Sequence, residues 1–96
     1  MSPQKQKKLN KIRKKLDKLD DSFIYLIKKR TELVNQVLQL KEYKKQIVDK
    51  KRIKKILINL KKKSIKKKID PKITKRIWTN MIWSYIDFEK RNFKKK

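Results

Sequence analysis

The chain has 96 residues with no cysteine, histidine or glycine, and its 33 Lys and Arg against nine Asp and Glu give a formal net charge of +24 at pH 7. These absences exclude disulfides, most zinc sites, Ser-His and Cys-His nucleophile pairs and the usual neutral-pH general base. Any catalysis must rest on carboxylates, cations and hydrogen bonds, with no metal or cofactor expected, and a single soluble, cytoplasmic domain over residues 1–96 is predicted, because no apolar run approaches the ~20 residues of a membrane span and Met1 to Asn10 lacks the apolar stretch of a secretory signal.

The first predicted element is a long helix from about Gln6 to about Lys45, about 60 Å at ~1.5 Å per residue. Leu9, Ile12, Leu16, Leu19, Phe23, Leu26, Arg30, Leu33, Val37 and Leu40 step by threes and fours, the pattern of a stripe presented to a partner. Arg30 alone among them is not apolar, so it should lie within the seam, either as a register-fixing polar residue or as the grip for an anionic ligand. A brief polar turn is expected around Lys44 to Val48. A second, shorter helix follows, with Ile53, Ile56, Leu57 and Leu60 on one face. The lysine-rich stretch Lys61 to Lys68 is read as the connection to Asp70-Pro71, an N-cap followed by proline in the first turn. That pair opens a third helix whose apolar face takes in Ile73, Ile77, Trp78, Met81, Ile82, Tyr85 and Phe88.

One long helix and two short ones cannot close a core around the free end of the long one. The predicted architecture is therefore all-α, three helices entwined with a second copy in a homodimeric bundle whose sites can draw on both chains. No repeat, strand pattern or linker is evident, and no appended regulatory domain is expected.

Only five basic residues are arginine: Arg13, Arg30, Arg52, Arg76 and Arg91. The lysine excess, with abundant Ile and Asn, is what an AT-rich coding sequence produces by drift. Nucleic acid is accordingly not the expected partner, although a basic coiled-coil or nucleic-acid-binding protein remains the reading from another class. Arginines that persist under such drift mark places where a planar fork on a carboxylate or phosphate cannot be replaced by an ammonium. Arg30 and Lys41 fall within about 20° of one helix face, roughly three turns apart, and could hold one small anion between them. Arg13 faces elsewhere, about 100° round the axis, and in a dimer could enter the partner's pocket. Asp49 and Arg52 sit one turn apart at the start of the second helix, in the simplest case as a surface ion pair. Glu89 extends the apolar face that includes Tyr85, a setting that favours the protonated, donating form of a carboxyl group, with pairing to a nearby lysine as the alternative.

The stretch Ile12-Arg13-Lys14-Lys15-Leu16-Asp17-Lys18-Leu19-Asp20-Asp21, the later Lys29-Arg30-Thr31-Glu32-Leu33-Val34, Lys41, Asp49-Lys50-Lys51-Arg52 and Ile69-Asp70-Pro71 together resemble the all-helical chorismate mutases, the type II superfamily. The resemblance covers about residues 9–90 and leaves 91–96 as a basic tail. It implies an entwined three-helix homodimer with shared active sites and a small-molecule substrate, converted from chorismate to prephenate in aromatic amino acid biosynthesis. It also implies residue roles: Arg13 from the partner chain and Arg30 from the same chain on substrate carboxylates, Lys41 on the ether oxygen and a carboxylate, Asp49 on the hydroxyl, and Arg52 near a carboxylate. Glu89 falls where the family places a Gln or Glu that donates to the ether oxygen. Ile53 stands where many members have a Glu that binds the ring hydroxyl, and Tyr85 where a small Ser is common. Those two departures, with the Trp83-Ser84-Tyr85-Ile86 run, resemble a branch that includes isochorismate-pyruvate lyases, which give salicylate and pyruvate from isochorismate. Retention of Asp49 favours the mutase.

Overall fold

The structure, a computed structural model, describes residues 1–95 as α1 (Pro3–Leu40), a single 3-10 turn (Lys44–Gln46), α2 (Lys50–Lys66) and α3 (Pro71–Asn92), with no strand among the described residues. The chain divides into two compact units, Met1–Leu33 and Val34–Lys96.

In the first unit the helix begins at Pro3 and not at Gln6. Ser2 supplies the reason: its hydroxyl accepts the N–H of Lys5 at 3.3 Å, and Pro3 occupies a first-turn position where a missing N–H costs nothing. No residue of this unit is buried. Ile12, Leu16, Leu19, Phe23, Leu26 and Leu33 keep the predicted stripe, and each is at least half exposed. Arg30, in register with them, is half-buried.

The second unit holds the core: Leu38, Ile47, Ile82 and Ile86 are buried, and Val48, Ile53, Ile56, Leu57 and Phe93 pack against them. Here α1 stops at Leu40, five residues before the predicted end, although neither glycine nor proline breaks it. The Gln46 side chain is the competitor, its Oε1 accepting the N–H groups of Glu42 and Tyr43 at 2.7 and 2.8 Å, which are then lost to the helix ladder. Burial of Ile47, 3% exposed, draws the turn back onto Leu38. From the other end of the chain, Lys95 donates to the Gln39 carbonyl at 2.5 Å, satisfying a C-terminal acceptor of α1.

The second helix is longer than predicted. Lys61 to Lys66 continue α2, since the straight lysine stems lose little freedom in a helix. The end is a Schellman motif: Ile69 N–H bonds to Ser64 O at 2.9 Å, Lys68 N–H to Ile65 O at 3.1 Å, and Lys68 takes φ 59°, where glycine is usual. Asp70 then caps α3 as predicted, accepting the N–H of Lys72 at 2.9 Å ahead of Pro71. Ser64 lets α2 and α3 approach closely; its buried hydroxyl donates to Leu60 O and contacts Thr74 Oγ1, both at 2.7 Å.

On α3 the buried apolar residues are Ile82 and Ile86, with Trp78, Met81, Tyr85 and Phe88 half-buried. Ile73 and Ile77, predicted for the same face, are exposed because they lie well over about 100° round the helix from Ile82. Of the basic tail, Arg91 and Asn92 complete α3, Phe93 packs on the core, and Lys96 lies outside the described residues. Among the described residues no helix is long and apolar enough to cross a membrane.

Candidate active site

Two groups far apart in sequence meet in the second unit. Lys41 follows the last residue of α1, and its Nζ lies 2.8 Å from Glu89 Oε1 on α3. The side chains are 18% and 7% exposed, so this is an ion pair taken largely out of water. Such a pair is held by hydrogen bonding and geometry more than by bulk Coulomb attraction, and removing either member leaves the other charged and poorly solvated. The fold supports both sides. Lys41 sits at the negative end of α1, where a cation is favoured. Glu89 follows Tyr85 and Ile86 by one turn, which turns it toward the core instead of solvent. Glu89 extends the apolar face as expected and is 6% exposed, and its carboxylate accepts from a lysine, the pairing given as the alternative to a donating carboxyl group.

Asp49 is the N-cap of α2. Its Oδ1 accepts the main-chain N–H of Arg52 at 3.0 Å, so the link between these residues is a helix cap where a surface ion pair was the simplest expectation. Lys41 and Asp49 line one open depression of about 620 Å³ with Gln46, Val48, Lys50 and Lys51. A cation, the free edge of an exposed carboxylate and several further ammonium groups therefore surround one space. Its chemistry suits a small polyanion bearing a hydroxyl.

The remaining sequence candidates are distributed as follows. Arg52 is exposed in the first turn of α2. Ile53 is half-buried against the core, and its side chain offers no hydrogen bond. Tyr85 is half-buried and meets Phe88 edge-on at 6.5 Å between ring centres. Arg13, exposed, and Arg30, half-buried, belong to α1 in the first unit. The 100° step used to align Lys41 with Arg30 does not extend to Lys41, which lies past the end of α1 with its N–H on Leu38 O at 3.1 Å, an i→i−3 turn.

One contributor was not anticipated from sequence: Gln46, which ends α1 and so fixes where Lys41 stands. For Glu89 a lysine partner was the stated alternative, and the structure identifies it as Lys41, 48 positions away. A signal for this pairing existed, since Glu89 is the one carboxylate on the apolar side of α3. Among the described residues no group of three or more Asp or Glu converges as a metal site.

Residues 12–90 match the family model for chorismate mutase type II. No curated protein and no solved structure matches the chain.

Proposed function

The chain belongs to the chorismate mutase type II family, and from that membership we propose that it converts chorismate to prephenate in a homodimer whose two active sites each draw on both chains. The observation that carries this reading is the Lys41–Glu89 pair, in which Lys41 Nζ donates to Glu89 Oε1 at 2.8 Å, with Lys41 lining a depression that also takes in Asp49. The Claisen rearrangement breaks the ether C–O bond as the new C–C bond forms, with no nucleophile and no net proton transfer. The absence of His and Cys therefore costs nothing. Catalysis is selection of the compact conformer and stabilisation of charge growing on the ether oxygen.

In this scheme Lys41 turns from the Glu89 carboxylate to donate to the ether oxygen, and Glu89 donates beside it once it has taken up a proton with the substrate bound. Arg30 and, from the other subunit, Arg13 grip the two substrate carboxylates, with Arg52 as a further cation. Asp49 accepts from the ring hydroxyl with the oxygen edge that its capping role leaves over. The dimer is supported by the α1 stripe, of which Leu16, Leu19, Phe23, Leu26 and Leu33 are more than half exposed in the single chain.

A second reading, isochorismate-pyruvate lyase, is favoured by Ile53, which gives the hydroxyl no partner on that side. Purified protein offered chorismate and isochorismate separately, with Arg30→Ala as control, tests both. Prephenate from chorismate, lost in the control, is the expected result. Salicylate with pyruvate from isochorismate, and little prephenate, would establish the lyase. Turnover of neither would overturn the enzyme reading and leave a basic helical binding protein.

A further inference from the structure

In the mutase scheme Asp49 accepts from the ring hydroxyl, while Ile53, packed against the core, offers that group nothing. A hydroxyl combines one donor with two acceptor lone pairs, so its oxygen still needs a donor. The turn between α1 and α2 holds one. Gln46 lines the same depression as Lys41 and Asp49. Its main-chain N–H donates to Tyr43 O at 3.0 Å, and its side-chain Oε1 accepts the N–H groups of Glu42 and Tyr43 at 2.7 and 2.8 Å, so this residue is fixed at both ends.

Both partners of Oε1 are donors, which fixes the orientation of the carboxamide: its oxygen must face the main chain, and its NH2 group is the part left to meet a ligand. We propose that Gln46 is a substrate-binding residue whose Nε2 donates to the oxygen of the ring hydroxyl, opposite the proton that Asp49 accepts. The proposal rests on the mutase reading and adds to it the group that recognises the hydroxyl in place of Ile53. The charge of the site favours an amide here. Lys41, Lys50 and Lys51 also line the depression, and a dianionic substrate draws ammonium groups to its carboxylates, where charge-assisted bonds are about twice as strong as neutral ones. A neutral donor held by the turn does not follow them, and it loses little freedom on binding because it is already ordered.

The same segment carries the partner of the ether oxygen. Lys41, Gln46 and Asp49 belong to one connection, and Ile47, 3% exposed, anchors it against Leu38. In chorismate the hydroxyl and the ether oxygen are on adjacent ring carbons, which suits donors and an acceptor supplied by one short piece of chain. Isochorismate carries its hydroxyl on the other neighbouring carbon, beside the ring carboxylate. With the ether oxygen held at Lys41, a pair placed for the chorismate hydroxyl does not meet that of isochorismate, so Gln46 and Asp49 together select chorismate.

The test is a cycle of two proteins and two substrates. Gln46→Glu keeps an oxygen for the Glu42 and Tyr43 N–H groups and removes the NH2 group, so the turn is retained and the donor is lost. The value of kcat/KM is measured for the unaltered full-length protein and for the variant, with chorismate and with a chorismate analogue that lacks the ring hydroxyl. Gln46→Glu is expected to lower kcat/KM for chorismate at least about fivefold more than for the analogue, the worth of one neutral hydrogen bond. The added negative charge acts on both dianions alike, and the ratio of the two losses is independent of how much of the variant is folded. Equal losses with both substrates would overturn the proposal and confine Gln46 to tying the turn, as would no loss with chorismate. Those outcomes leave the mutase reading standing. Failure of the unaltered protein to turn over chorismate would instead overturn that reading, and this proposal with it.

Discussion

A carboxyl group donates a hydrogen bond only while it carries a proton, and this makes Glu89 the residue whose proposed role is easiest to isolate. If it donates to the ether oxygen beside Lys41, turnover of chorismate should decline as pH rises, and Glu89→Gln, which always donates, should flatten that decline while keeping most of the activity at high pH. An unchanged pH profile in Glu89→Gln would remove Glu89 from the chemistry and leave it as the structural partner of Lys41. Asp49 needs a different separation because it already has a local duty, capping α2 through the Arg52 N–H. Asparagine keeps a capping oxygen and loses the charge, whereas alanine loses both. Asp49→Ala is expected to cost about 1 kcal/mol of stability and Asp49→Asn much less, measured by urea unfolding. Both should raise KM if the second carboxylate oxygen meets the substrate. A normal KM in Asp49→Asn would confine this residue to the cap.

At the level of elements, what could be read from the sequence followed the physics of each signal. Asp70-Pro71 marked the start of α3 because cap and proline act within one turn, and the structure shows that cap. The end of α1 was not legible, because it depends on Gln46 reaching back from the next turn and on Ile47 finding a buried place beside Leu38. Lysines at 61–66 resemble linker composition yet are good helix formers, so composition misplaced the end of α2 by half a dozen residues. Charge and spacing singled out Lys41 and Glu89 separately; their contact is tertiary and had no local signature. The true end of α2 carries a mark that sequence alone obscured, a left-handed lysine in a glycine position. Lys68 at φ 59° bears a Cβ in a region that disfavours it. Lys68→Gly should therefore raise stability by about 0.5–1 kcal/mol, the steric relief outweighing the added freedom of the unfolded chain, read as a higher urea midpoint with unchanged slope. A loss of stability would mean that the lysine side chain makes a compensating contribution in the turn.

At the scale of the whole molecule the decisive imbalance is between a small core and a large exposed stripe. Among the described residues four apolar side chains are buried in the second unit, while the first unit leaves Leu16, Leu19, Phe23, Leu26 and Leu33 more than half exposed and buries nothing. A helix of this length gains most of its stability from packing an amphipathic face, so a single chain is an incomplete folding unit. If the stripe pairs with a second copy as proposed, stability depends on protein concentration, and Leu19→Glu, which would put a charge in the seam, should shift the protein toward monomer in sedimentation equilibrium and lower its Tm. The same symmetry makes a sharper demand on the chemistry. If each site takes Arg30 from one chain and Arg13 from the other, Arg13→Ala and Arg30→Ala homodimers are both inactive, yet each mixed dimer holds one intact site beside one doubly defective site. Unfolding and refolding an equal mixture makes about half the dimers mixed, so about a quarter of the unaltered activity should return. Sites built within single chains would each keep one defect in every mixed dimer, and no activity would return. Complementation therefore distinguishes a shared site from a local one independently of how tightly the chains associate, which the Tm measurement alone cannot do.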